Sequence, residues 1–194
     1  MKKYKIIFKK NSIMMLLLVF VIAFSILIID ATKNKAKKGF ELGGRFLLID
    51  QNKMNFDSRT SKKNKLIYFG YTYCPDVCPF DILKLSKFID KNPHLKNKLD
   101  FIFITVDPDR DQPQQLKSFL ANFNSSIIGL TGSKKQIEEV IRKFRIFVKI
   151  NKNSSNDENY LVDHSSLFFL VDKNDKYLTH FRPSDFDSKI QSLL

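Results

Sequence analysis

Two cysteines and a histidine are the residues in this chain best suited to chemistry. Cys74 and Cys78 are the only cysteines, and both lie in Tyr71-Thr72-Tyr73-Cys74-Pro75-Asp76-Val77-Cys78-Pro79. At i and i+4 their sulfurs face one side if the segment coils into a turn. An apolar run precedes the stretch and a helical pattern follows it, so the cysteines sit between a strand and a helix. A helix N-terminus stabilises thiolate and lowers a cysteine pKa. Three readings follow. The pair is a dithiol/disulfide couple, or part of a metal site whose soft thiolates select Cu(I) or Zn²⁺ over Mg²⁺ or Ca²⁺, or two small buried hydrophobes. Prolines on both sides at a loop-to-helix junction argue against the third. Spacing alone puts the redox couple ahead of the metal site, because a closed zinc site needs four protein ligands.

A third ligand would shift that balance. The chain has three histidines, His94, His164 and His180. His94 follows Asn92-Pro93 in a polar stretch and reads as exposed, and His180 reads as a strand-surface residue. His164 stands in Leu161-Val162-Asp163-His164-Ser165-Ser166, at the mouth of an apolar strand. It is either a structural histidine or a ligand, with Asp163 as a possible orienting group.

The elements that must position these residues read as an α/β domain. Residues 66–70 (LIYFG) and 101–106 (FIFITV) are continuous apolar runs suited to buried parallel strands. Between them Ile82, Leu85, Phe88 and Ile89 recur at helical spacing, with Pro79 tolerated in a first turn. After Pro113, Leu116, Phe119, Leu120 and Phe123 form a second helical stripe, and residues 127–130 a short strand. Ser133 with Gln136 makes a capping box ahead of Ile137, Val140, Ile141 and Phe144. Residues 166–171 and 177–181 flank a turn and read as a hairpin. Ser184 caps a last helix carrying Phe186, Ile190, Leu193 and Leu194. Residues 61–65 and 151–159 read as loops, and Asp107-Pro108-Asp109-Arg110-Asp111 as a charged turn rather than a metal or catalytic site. This order gives a partly parallel, mixed sheet flanked by helices. The thioredoxin-like fold has that order, although pattern alone does not single it out.

The 194 residues carry a net charge of +13, with 43% hydrophobic and 27% charged residues. That composition suits one folded domain. Residues 1–38 hold nine Lys and one Asp, a net of +8, which leaves +5 for the other 156 residues. The early charge flanks residues 13–29, an uncharged apolar run. As a helix it would span about 25 Å, enough for a short membrane crossing. No A-x-A-like site follows, so an uncleaved anchor is favoured over a signal peptide. The expected organisation is a basic tail (1–12), a transmembrane anchor (13–29), a polar tether (30–38) and one globular domain (39–194). A short basic tail kept in the cytoplasm places that domain outside, where cysteines can be oxidised. A Lys-rich, Arg-free N-terminus is unlike a mitochondrial presequence, so a bacterial inner membrane with a periplasmic domain is favoured. No basic cluster interleaved with aromatics supports nucleic-acid binding.

The segments Phe69-Gly70-Tyr71-Thr72-Tyr73-Cys74-Pro75-Asp76-Val77-Cys78-Pro79, Ile104-Thr105-Val106-Asp107-Pro108-Asp109-Arg110-Asp111, Gly129-Leu130-Thr131-Gly132-Ser133 and Val162-Asp163-His164-Ser165 occur in that order. Together they resemble the Sco/SenC family of membrane-anchored copper-binding proteins across most of residues 43–183. The resemblance implies a thioredoxin-like fold and a role in assembling the dinuclear copper A centre of cytochrome c oxidase. It implies the copper A subunit and other copper chaperones as partners, and Cys74, Cys78 and His164 as ligands of one copper ion. Two thiolates and an imidazole suit Cu(I), and accept Cu(II) with an added ligand. The sequence departs from the family at Lys53-Met54, where a Gly-centred turn is frequent, at Gln112 in place of Thr, and at Phe80 in place of a small polar residue. None of these removes a ligand. The alternative implied by the same resemblance is a tethered thiol–disulfide reductase acting on a partner's copper-ligand cysteines. A peroxiredoxin-like peroxidase shares the architecture, but no residue here demands it.

Overall fold

The computed structural model describes residues 15, 17–30, 42–152, 159–191 and 193. The chain divides into two compact units, Met1–Phe40 and Glu41–Leu194. In the first, residues 17–30 form helix α1, whose side chains are exposed. Among the described residues no helix is long and apolar enough to cross a membrane. Residues 13, 14 and 16 of the expected anchor, the basic tail and the tether at 31–38 lie outside the described residues.

The second unit is built on two strands buried on both faces. Strand β3 (Asn64–Gly70) has six of its seven residues buried, as has β4 (Leu99–Thr105). They pair in parallel, with Leu66 opposite Phe101 and Gly70 opposite Thr105. Continuous apolar runs suit this position, because helices cover both faces of the sheet there and neither row of side chains is left in water. β5 (Ile127–Thr131) extends the parallel set beyond β4. Two antiparallel hairpins finish the seven-stranded sheet. β1 (Leu47–Asp50) and β2 (Asn55–Asp57) add beside β5, and β8 (Phe168–Val171) and β9 (Tyr177–Phe181) beside β3. Strands β6 (Val148–Asn151) and β7 (Leu161–His164) pair only with each other.

Alternation along the strands assigns the helices to faces. Tyr68 contacts Phe103 and Phe168, and these meet Phe119 of α3 (Pro113–Leu120) and Phe186 of α5 (Phe186–Gln191). Phe186 in turn contacts Phe88 of α2 (Val77–Lys91), so α2, α3 and α5 share one face. The neighbouring Phe69 points the other way, to Phe144 of α4 (Lys134–Phe144) and to Phe169. The capping box on α4 forms with both halves in place.

Four strands go beyond the sequence expectation. β2, β6 and β7 are three or four residues long with one buried residue among them, so no apolar run marks them. β1 is the exception, because residues 46–49 (FLLI) do form an apolar run. The turn at 51–54 shows how the sequence manages without glycine. Lys53 adopts φ 66, and the Asp50 carboxylate accepts from the backbone N–H groups of Asn52 and Met54. The last helix starts at Phe186, after Asp185, which pairs with Lys189, so Ser184 is not its immediate cap. Leu193 is exposed, Phe123 lies beyond the end of α3, and Leu194 falls outside the described residues.

Residues 61–65 are not all loop. Lys65 belongs to β3 and is fully buried, its ammonium 3.1 Å from the equally buried Asp175 carboxylate. The Ser58 hydroxyl donates to the other Asp175 oxygen at 2.7 Å. This ion pair ties the start of β3 to the β8–β9 turn, at the end of the sheet away from the cysteines. Removing one partner strands a buried charge. Lys65→Met is expected to lower the unfolding free energy in denaturant titrations by roughly 3–5 kcal/mol. Lys65→Met combined with Asp175→Asn, which tolerates the residue's φ of 64, should recover part of that loss.

Candidate metal centre

Strand β3 ends at Gly70 and α2 begins at Val77, so both cysteines fall where the sheet's C-terminal edge meets a helix N-terminus. Gly70 is required by a close approach. A Cβ there would lie 2.9 Å from the Tyr68 ring, 3.0 Å from Phe103 and 3.1 Å from the Cys78 sulfur. Cys78 is fully buried on the first turn of α2, Cys74 is half-buried in the loop before it, and neither is in a disulfide. Asp76 occupies the helix cap position but its side chain caps nothing.

The loop is held from the Asp107–Asp111 turn. The buried Asp111 carboxylate accepts from the Thr72 N–H at 2.9 Å, the Thr72 hydroxyl at 2.6 Å and the Thr105 hydroxyl at 2.7 Å. Burial raises the Asp111 pKa, and the Thr72 and Thr105 hydrogen bonds oppose that shift. Asp107 accepts from Arg110 at 2.6 Å and from the Tyr160 hydroxyl at 2.7 Å. The Arg110 guanidinium lies over the rings of Tyr160 at 3.5 Å and Tyr73 at 4.9 Å. The segment is thus a turn, as its sequence suggests, but with Asp107 and Asp111 turned inward rather than solvated. Their work is to brace the cysteine loop.

His164 reaches the cysteines from the end of β7, not from the apolar strand after it. Its Nε2 lies 3.1 Å from the Cys78 sulfur and its Nδ1 3.1 Å from the Ser165 carbonyl. A carbonyl only accepts, so in the neutral ring Nδ1 carries the hydrogen and Nε2 offers a lone pair. Asp163 points elsewhere, is exposed, and accepts from Asn151 at 2.8 Å, so it does not orient the ring. His94 and His180 are both exposed and apart from the cluster, with His180 bonded to Tyr177. The ligand atoms of Cys74, Cys78 and His164 all lie within 4.8 Å of one another.

Two sulfurs this close divide one proton unequally. Hydrogen bonds from the Cys78 side chain and from the backbone N–H groups of Cys78 and Asp76 hold the Cys74 thiol far below its ordinary pKa against the cost of burial. The Cys74 negative charge and burial push Cys78 far upward. Residues without a sequence signature complete the surroundings: the Tyr71 hydroxyl accepts from the Val162 N–H at 3.2 Å, and Tyr68, Asp81 and Ser166 form a network below the site. One signal was available for Asp81, a carboxylate on the buried stripe of α2 that otherwise carries Ile82 and Leu85.

A mixed sheet flanked by helices, with two cysteines at the strand-to-helix turn, defines the thioredoxin-like class. Within it, residues 34–193 match the sequence profile of the SCO1/SenC family, and the chain belongs to that family. It is 41% identical over 183 residues to a SCO2-like protein of Rickettsia prowazekii, covering 89% of this chain and 88% of that one. ScoI of Bradyrhizobium japonicum, solved with copper bound, superposes with a TM-score of 0.70 at 34% identity, over 79% of this chain and 99% of that one. BsSco, described with a disulfide switch and as a member of the Sco family of cytochrome c oxidase assembly proteins, superposes with a TM-score of 0.61 at 27% identity, over 79% and 91%.

The Cys74 shift has a checkable consequence. Its folded pKa is lowered, so thiolate persists as pH falls below the ordinary thiol value and is lost only at the depressed value. Iodoacetamide should modify reduced, metal-free chain at Cys74, at a rate nearly flat from about pH 6 to 8, where an ordinary thiol changes roughly tenfold per pH unit. Faster modification of Cys78, or an ordinary slope, would contradict this arrangement.

Proposed function

We propose that this chain is a copper-binding assembly factor whose Cys74 and Cys78 sulfurs and His164 Nε2 carry one Cu(I) ion and pass it to a partner by ligand exchange. The observation that carries the reading is the convergence of these three donors within 4.8 Å. The donor set fits the ion. Two thiolates and a neutral imidazole form a soft, low-coordinate site suited to Cu(I), whereas a closed zinc site wants a fourth protein ligand. The recipient that fits is the copper A subunit of cytochrome c oxidase, whose dinuclear centre needs copper delivered to its cysteine ligands. Cu(II) would be accepted with an added ligand, and other copper chaperones are the fitting donors.

Half-exposed Cys74 is the point of entry. Tyr73, Val77 and Phe80, each 45–61% exposed and within six residues of it, offer apolar surface for a partner to cover. The apolar segment 13–29 tethers the domain to a membrane, in the favoured arrangement a bacterial inner membrane with residues 39–194 in the periplasm. Closing a Cys74–Cys78 disulfide from the Cys74 thiolate and the Cys78 thiol passes two electrons to an oxidant, releases the one shared proton and removes both sulfur ligands, so redox state gates loading.

The second reading, a thiol–disulfide reductase, is favoured by the asymmetry of the pair. Half-exposed, thiolate-prone Cys74 would attack a partner disulfide, and buried Cys78 would resolve the mixed disulfide. The two readings part at His164. Cu(I) titration of the reduced full chain against a competing chelator should give one tightly bound ion, weakened by His164→Ala and by Cys74→Ser beyond the roughly 10–100-fold typical of losing an outer-shell partner. No uptake, with disulfide reduction surviving His164→Ala, would replace copper delivery with thiol reduction.

A further inference from the structure

The proposed ligand His164 stands on an element outside the main sheet, since β7 pairs only with β6. Buried Val162, whose N–H bonds the Tyr71 hydroxyl, anchors the strand itself. His164 is its last residue, and the segment that follows needs its own hold if the imidazole is to stay at the Cys78 sulfur.

Asp81 is placed to do so. It lies three residues after Cys78 on α2, about one helical turn away and on the same buried face. It is 6% exposed, where an apolar residue would cost nothing to bury. Two hydroxyls converge on its Oδ2. The Ser166 hydroxyl donates at 2.5 Å and the Tyr68 hydroxyl at 3.0 Å, while Lys84 pairs with Oδ1 at 3.7 Å. Ser166 is two residues beyond His164. Tyr68 is on the central strand, and its ring meets the imidazole edge-on with centroids 6.3 Å apart. One carboxylate therefore joins the central strand, the cysteine helix and the histidine segment.

The geometry points to Asp81 as a positioning residue that clamps His164 to the cysteine pair through Ser166, with Tyr68 fixing the carboxylate from below. This rests on the copper-site reading for its consequence, though the clamp itself is a property of the metal-free protein. Outer partners that orient a metal-ligating histidine usually do so by bonding its other ring nitrogen. Here that nitrogen bonds the Ser165 carbonyl, and Asp81 grips the next residue of the same segment.

The test is a double-mutant cycle on the full chain, reduced and titrated with Cu(I) against a chelator, with NMR of the His164 imidazole in the metal-free protein. Asp81→Asn and Ser166→Ala should each weaken copper binding roughly 10–100-fold when His164 is present and change it little in the His164→Ala background. Ser166→Thr, which keeps the hydroxyl, should restore the wild-type value. The metal-free imidazole resonances should shift or broaden in Asp81→Asn and Ser166→Ala. Equal weakening with and without His164, or unaltered imidazole resonances, would overturn the clamp. Ser166 is only half-buried, so its variants carry the test if Asp81→Asn fails to fold. If the wild-type chain takes up no Cu(I), the copper reading fails and the metal-free resonances still decide the clamp.

Discussion

Two sulfurs and an imidazole nitrogen held within 4.8 Å of one another cannot all be protonated, nor all charged, without strong repulsion or unmet hydrogen-bonding demand. The protein answers this by burying one sulfur and leaving the other half-exposed over backbone N–H groups at the start of a helix. Charge settles on Cys74, the proton stays with Cys78, and His164 offers a lone pair. The arrangement gathers three soft donors of a kind that could hold a metal ion. A donor set that need not rearrange to bind loses less free energy on binding.

That constraint explains where the molecule tolerates buried polar groups. Gly70 lacks a Cβ where a sulfur must approach. Asp111 spends its carboxylate on Thr72 and Thr105 to shape the loop before Cys74. Asp81 gathers Tyr68 and Ser166 beneath the site. Each would be costly to bury without its partners. The opposite end of the sheet serves the fold instead, where Lys65 and Asp175 pin the β8–β9 turn to the central strand. Stability and chemistry occupy opposite ends of the central strand.

The legible parts of the fold were those with strong periodic signals. The doubly buried strands β3 and β4, the helices after Cys78, Pro113 and Ser133, and the β8–β9 hairpin all follow from apolar runs and caps. The short strands β2, β6 and β7 owe their form to pairing with an adjacent strand rather than to an apolar run of their own, whereas β1 did carry such a run at residues 46–49. At the site, Cys74, Cys78 and His164 were visible as residue types, and the structure brings all three together. Their supports were not, because Tyr68, Asp81, Asp111 and Ser166 become meaningful only when distant segments meet. Asp163 shows the converse: adjacent in sequence to His164, it turns away to Asn151.

The central claim is that Cys74, Cys78 and His164 form one three-ligand copper site. X-ray absorption spectroscopy of the reduced full chain loaded with one equivalent of Cu(I) tests it most directly. The account predicts a copper shell of two sulfurs and one imidazole nitrogen, with the imidazole scattering lost in His164→Ala. A shell of sulfur alone in the wild-type protein, or one retaining the imidazole after His164→Ala, would contradict it.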